Sequence, residues 1–144
     1  MATARYDRLK LENQICFPLY ASSKEVIHRY KDYLTEIGLT YTQYIAMMVL
    51  WERAPLSVKG LGEFLYLDSG TLTPLLKKLE KSGLILRERD PQDERSVTIS
   101  LTEAGRGLRE KAIQIPEKME SCIPLTNEEA QTLYKLLYKI LKTV

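Results

Sequence analysis

The chain has 144 residues, 44% of them hydrophobic and 28% charged. That is enough for one domain with its own core and too apolar for a disordered chain. Its 21 Lys and Arg against 19 Asp and Glu leave a net charge of +2, so binding to nucleic acid requires the cations to be gathered on one face. Two cysteines make no disulfide framework and point to a reducing cytoplasm. The longest apolar run, Tyr44 to Trp51, falls far short of the about 20 residues of a membrane span. The polar first residues carry no signal-peptide core.

Leu11, Ile15, Leu19, Val26, Tyr30, Leu34 and Ile37 recur at spacings near three and four, with one gap of seven. This predicts an amphipathic helix over about 8–36. Pro18 marks a kink in it or its start, and Gly38 a stop. Thr42 is the expected cap of a second helix that ends near Arg53 and is closed by Pro55. With Trp51 and its Met, Ile and Val residues it is the most apolar helix, which assigns it to the core. Ser57 opens a short helix to Leu65. After a turn at Tyr66–Gly70, Asp68 or Ser69 caps a further helix to Ser82, followed by Gly83. Two short helices around a tight turn make a helix-turn-helix.

Leu84–Arg89 and Arg95–Leu101 flank a turn at Asp90–Glu94. In the second run Val97, Ile99 and Leu101 alternate with Ser96, Thr98 and Ser100, the period of a half-buried hairpin. A hairpin directly after a helix-turn-helix is a winged helix. Thr102–Gly105 opens another helix to about Ile115, and Pro116 and Pro124 flank a loose segment. Thr126 and Glu129 form a capping box. Ala130, Leu133, Leu137, Ile140 and Val144 then repeat as in a helix–helix seam. The expected fold is a single domain, mainly α with a small β-hairpin.

A recognition helix needs small polar residues at its N-terminus for base edges and cations further along for phosphates. Ser69, Thr71 and Thr73 supply the first, and Lys77, Lys78 and Lys81 the second. The hairpin adds Arg87, Arg89 and Arg95. An Arg at a wing tip suits the minor groove, where the negative potential is strongest, and Asp93 is placed to fix the Arg95 guanidinium as a bidentate pair. A lysine-bearing helix is by itself only a solvated face. The order helix, turn, helix, hairpin together with the cations favours DNA. Pro74 disagrees with a regular helix from Ser69, so the helix starts nearer Thr71 or is irregular there.

The run Leu84 to Gly105 (LILRERDPQDERSVTISLTEAG) resembles the wing and following helix of the MarR family of winged-helix repressors. The D-E-R at 93–95 and the L-T-E-A-G at 101–105 are its most specific parts. Lys10–Phe17, Tyr20–Ser23 and Leu65–Pro74 narrow the resemblance to the organic-hydroperoxide-sensing OhrR branch, whose pattern includes Pro74. It covers almost the whole chain and is weakest between Pro116 and Thr126. It implies a symmetric homodimer that represses a thiol peroxidase gene from double-stranded operator DNA. The DNA-binding part would span about 42–101, and residues 8–36 and 103–144 would form dimerisation helices.

A peroxide reacts with thiolate rather than thiol. Phe17, Leu19 and Tyr20 around Cys16 offer an apolar approach that favours organic hydroperoxides. No Lys or Arg lies one turn from Cys16, so neutral Tyr hydroxyls are the candidate donors, and the resemblance points to Tyr30 and Tyr41. Tyr30 lies 14 residues beyond Cys16, about 21 Å along a continuous helix. Contact therefore requires the partner subunit, with the two first helices antiparallel. Some members of the branch carry a second, resolving cysteine near the C-terminus, and others use a low-molecular-weight thiol. Cys122 is either that resolving residue, closing an intersubunit disulfide with the sulfenic acid of Cys16, or a small hydrophobe between helices.

Two other readings compete. One keeps the fold and makes the effector a non-covalent phenolic or drug-like ligand. The other is a thiol-dependent peroxidase, which lacks an Arg beside Cys16 and leaves a winged helix without purpose. His28, a lone histidine on the exposed side of the first helix, makes no metal site, and no nucleotide-binding or Ser/His/Asp pattern is present. No cofactor and no enzymatic turnover are expected.

Overall fold

Single 3₁₀ turns at Asp7–Leu9 and Leu11–Asn13 lead into the first long helix, α1 (Cys16–Glu36), in the computed structural model, which describes residues 5–142. The expected helix from about residue 8 is therefore shortened. Pro18 is the third residue of α1, where its missing N–H falls among the donors every helix start leaves unpaired. It marks a beginning, not a kink. At the far end Gly38 takes φ 71°. Its N–H donates to the Thr35 carbonyl at 3.1 Å and that of Leu39 to Leu34 at 3.0 Å, the paired closure that a left-handed residue permits.

Helix α2 (Tyr41–Arg53) is capped by Thr40, not Thr42. The Thr40 hydroxyl accepts from the Gln43 N–H while the Gln43 side chain accepts from the Thr40 N–H. As its composition demands, α2 is central: Tyr44, Ala46, Met47 and Leu50 are all buried. Trp51 donates its indole N–H to the Gly105 carbonyl at 2.8 Å, so its ring packs inward without an orphaned donor.

Leu56–Ser57 form a short strand, β1, ahead of α3 (Val58–Leu65). The Ser57 hydroxyl caps α3 by accepting from Gly60 N–H at 3.0 Å. Tyr66 closes α3 in the left-handed region with φ 55°, and Asp68 caps α4 (Ser69–Lys81). Helix α4 begins at Ser69 rather than Thr71, so Pro74 lies inside it and donates nothing to Gly70. Leu72, Leu75, Leu76 and Leu79 are buried along its inner face. Each gains about 1.5–3 kcal/mol, so together they outweigh the roughly 3 kcal/mol cost of an internal proline.

The hairpin comprises β2 (Ile85–Asp90) and β3 (Asp93–Leu101) around Pro91 and Gln92. The antiparallel sheet has the order β1-β3-β2, with Leu56 opposite Ile99 and Arg89 opposite Val97. Helix α5 (Glu103–Ala112) is capped by Thr102, whose hydroxyl also donates to the Gly83 carbonyl. The segment expected to be loose after Pro116 contains a short helix, α6 (Ile115–Glu120). Ile115 and Met119, one turn apart, are buried, and Pro116 sits harmlessly in the first turn. Helix α6 packs on α1. The Thr126–Glu129 capping box starts α7 (Asn127–Leu141), in which no residue is buried. Its seam residues Leu133 and Ile140 face solvent in the single chain, and Val144 lies outside the described residues. Among the described residues no helix is long and apolar enough to cross a membrane.

Candidate nucleic-acid interface and thiol site

Helix α4 and the hairpin enclose a groove of about 400 Å³. Ser69 and Thr73, one turn apart on α4, face Arg87, Asp93 and Arg95 across it, and Ser57 and Lys59 close its end. Lys77 continues the Ser69–Thr73 edge by one further turn. Lys78 and Thr71 lie on the opposite edge of the exposed face. Lys77, Lys78, Arg89 and Arg95 form no ion pair among the described residues, which leaves four exposed cations on α4 and the hairpin.

Three of the expected roles change. The Thr71 hydroxyl is turned back on the Asp68 cap, donating to Oδ2 at 3.2 Å while the Thr71 N–H donates to Oδ1 at 2.8 Å. These bonds hold the Asp68 carboxyl below the usual carboxylate range. Asp93 does not fix the Arg95 guanidinium; its Oδ1 accepts from the Arg95 backbone N–H at 3.0 Å. That bond tightens the two-residue turn and leaves the guanidinium free at the tip. Arg87 is not a free cation either, because its guanidinium is held by Glu80 of α4 at 2.6 Å.

The aromatic cluster stands on the junction of α1 and α2. Tyr30 and Tyr41 have ring centroids 5.0 Å apart, and Tyr44 lies 5.9 Å from Tyr30. Burial pushes all three phenols up from their ordinary range, with Tyr41 and Tyr44 adding to the effect on Tyr30. They are therefore neutral O–H donors at physiological pH. Neither Tyr30 nor Tyr41 makes a hydrogen bond through its hydroxyl within the described chain.

Cys16 is exposed and is the first residue of α1, at the helix end whose polarity favours an anion. The continuous helix α1 puts Tyr30 about 21 Å from it, so one chain does not bring Cys16 to the tyrosines. Cys122, half-buried, lies after α6 and docks against α1 well beyond Cys16. Its sulfur lies 3.7 Å from the Tyr33 hydroxyl and 3.4 Å from the Lys118 carbonyl. Its own carbonyl accepts from the Arg29 guanidinium. Arg29 and Tyr33 are 13 and 17 residues beyond Cys16, about 20 and 26 Å along the axis, so the two cysteines of one chain are held apart.

Sequence reasoning missed Tyr44, Lys59, Arg29, Tyr33 and Glu80. Tyr33 was open to detection at three residues from Tyr30, on the same helix face. The partners of Cys122 and of Arg87 are long-range and carry no local signal. His28 is exposed, and no group of three metal-ligating side chains occurs among the described residues.

The family model for the transcriptional regulators SarA/Rot matches residues 28–112. The organic hydroperoxide resistance transcriptional regulator of Bacillus subtilis (strain 168) is 51% identical over 140 residues, covering 97% of this chain and 95% of that protein. The structure of reduced AbfR bound to DNA matches with a TM-score of 0.80 and 35% identity over 96% of this chain and 97% of the other. AbfR is a protein of Staphylococcus epidermidis. Its disulfide-formed structure matches at 0.68 and 34%, covering 99% and 98%. The chain belongs to the SarA/Rot transcriptional regulators, winged-helix proteins of the MarR type.

Proposed function

We propose that this chain is a homodimeric, cytoplasmic repressor that releases operator DNA when an organic hydroperoxide oxidises Cys16. The reading rests on one observation above all. The Tyr30–Tyr41 pair presents unused phenol donors, and Cys122 is docked on the same stretch of α1 at Arg29 and Tyr33. Both lie a helix length from the exposed Cys16 of the same chain. Two α1 helices packed antiparallel about a two-fold axis bring Cys16 of one subunit to the tyrosines and the Cys122 of the other. The apolar face of α7, exposed in the single chain, supplies further surface for that dimer. The likeness to the B. subtilis organic hydroperoxide regulator supports the effector class.

The chemistry follows from the site. The Cys16 thiolate attacks the terminal oxygen of the hydroperoxide. The O–O bond breaks, an alcohol leaves after protonation, and Cys16 becomes a sulfenic acid. Tyr30 and Tyr41 donate hydrogen bonds to the anionic sulfur. The Cys122 thiol of the partner then displaces the sulfenic oxygen as water and closes an intersubunit disulfide. A low-molecular-weight thiol can take the same place. Because α1 carries Cys16, holds the Cys122 segment and packs on α2, closing a bond that requires Cα atoms within about 7 Å displaces the two α4 helices from successive major grooves. Each Cys16 consumes one equivalent of peroxide and does not turn over, so the protein acts as a sensor and not as an enzyme.

The test is DNA binding before and after one equivalent of cumene hydroperoxide, with a fragment selected from a random pool by the reduced protein. The parent should lose binding and regain it with a dithiol, while Cys16→Ser should retain it. Equal loss in Cys16→Ser would contradict the reading.

A second reading has one observation in its favour. A largely apolar cavity of about 570 Å³ lies between α1 and α2, with Ile27, Leu34 and Leu39 inside and Lys24, Lys31 and Tyr41 at its edge. A phenolic or carboxylate ligand suits it and would act without Cys16. Release of DNA by salicylate from Cys16→Ser would favour that reading.

A further inference from the structure

We infer that Arg29 is a positioning residue for disulfide closure, holding the Cys122 segment on α1 so that its sulfur is presented to the oxidised Cys16 of the partner. The inference rests on the two-cysteine reading above and adds to it a residue that touches neither sulfur. Cys122 follows α6 directly and lies on no helix of its own. Two contacts tie it to α1 from residues one turn apart. The Arg29 guanidinium donates to the Cys122 carbonyl, and the Tyr33 hydroxyl meets its sulfur at 3.7 Å. Arg29 is itself oriented, because its Nε donates to Glu25 Oε1 at 3.0 Å one turn earlier. Lys118, on α6, lies over the Tyr33 ring at 5.4 Å.

The two contacts differ in what closure does to them. In closure the S–O bond of the Cys16 sulfenic acid breaks and an S–S bond forms, the oxygen leaving as water with the Cys122 thiol proton. The sulfur must turn away from Tyr33 to do this. The carbonyl need not move, so the Arg29 bond persists through the step and acts as its pivot. Without it the hydrogen bond from α1 to the Cys122 backbone is lost, and the thiol samples a larger volume. An oriented reactant pair reacts faster than a loosely held one.

The experiment separates the two steps in the full-length dimer. Sulfenic acid formation is followed by trapping with dimedone, and disulfide formation by non-reducing electrophoresis, in the parent, Arg29→Ala and Arg29→Lys. Arg29→Ala should form sulfenic acid at the parent rate and close the disulfide about tenfold more slowly, the effect of one lost charge-assisted hydrogen bond. Arg29→Lys, which still donates to the carbonyl, should recover most of that rate. Parent-like closure in Arg29→Ala, or equal slowing of both steps, would overturn the positioning role alone. A parent protein that forms no interchain disulfide at all would overturn the two-cysteine reading and this inference with it.

Discussion

Arg87 closes on Glu80 with three hydrogen bonds. Its Nη2 and Nε lie 2.6 and 3.1 Å from Oε2, and its backbone N–H lies 3.2 Å from Oε1. One residue of the hairpin is thereby clasped to the last turn of α4. Hydrogen bonds and charge from Arg87 hold the Glu80 carboxyl below the usual range. A depressed carboxylate contributes stability above its unfolded pKa, near pH 4, that is lost as pH falls through the folded value. Glu80→Gln should therefore lower the melting temperature at pH 7 and weaken operator binding. It should also flatten the acid limb of the stability curve below about pH 5. An unchanged acid limb would show that the clasp adds nothing to the fold.

Arg95 projects from the hairpin tip with no ion partner among the described residues. Arg95→Ala should leave the melting temperature unchanged and weaken DNA binding. A dimer then loses two phosphate-neutralising charges, so the slope of log K against log salt should fall by about 2. An anisotropy titration over a salt series checks it. An unaltered slope would remove the wing tip from the interface.

Gly105 explains part of the motif that first pointed to this family. A Cβ there would lie 1.9 Å from the Leu84 carbonyl oxygen, a backbone atom that cannot step aside, and the Gly105 carbonyl receives the Trp51 indole. Gly105→Ala should cost about 1–3 kcal/mol or more by overpacking. Gly107, two residues on in the same helix, has nothing within 4 Å of such a carbon. Gly107→Ala should instead gain about 0.5–1 kcal/mol. Urea unfolding of the pair checks both signs.

Tyr30→Phe and Tyr41→Phe remove the phenol donors while keeping the ring contacts of the cluster. Each should slow oxidation of Cys16 by about tenfold and leave the DNA affinity of the reduced protein intact. Dimedone trapping against time measures the rate. A parent-like rate in both variants would remove the tyrosines from the sensing site.

Local chemistry was readable in the chain wherever a cap, a stop or a period recorded it. Gly38, Gly83, Ser57, Asp68 and the Thr126–Glu129 box all act where their residue types predicted. The chain alone points to Thr42 rather than the true cap Thr40, because two threonines stand two apart and only the Gln43 side chain chooses between them. Strand β1 escaped because two residues show no alternation, and its partner Ile99 is distant in the chain. Pro74 misled because propensity is local while the four buried leucines of α4 are a property of the fold. That the hairpin and α4 carry exposed cations was readable, but their engagement was not. Whether Arg87 is free or held depends on Glu80 across a tertiary contact. Cys122 was the least readable residue, since its place beside Arg29 and Tyr33 is set by the packing of α6 on α1.

The most direct measurement mixes the Cys16→Ser and Cys122→Ser proteins under conditions that exchange subunits, adds one equivalent of an organic hydroperoxide, and runs a non-reducing denaturing gel. Neither variant alone should form the Cys16–Cys122 bond. The mixture should give a covalent dimer whose cross-linked peptide, by mass spectrometry, joins Cys16 of one chain to Cys122 of the other. A mixture that exchanges subunits but yields no covalent dimer, while the parent oxidises to a species of monomer mobility, would contradict the antiparallel, intersubunit site.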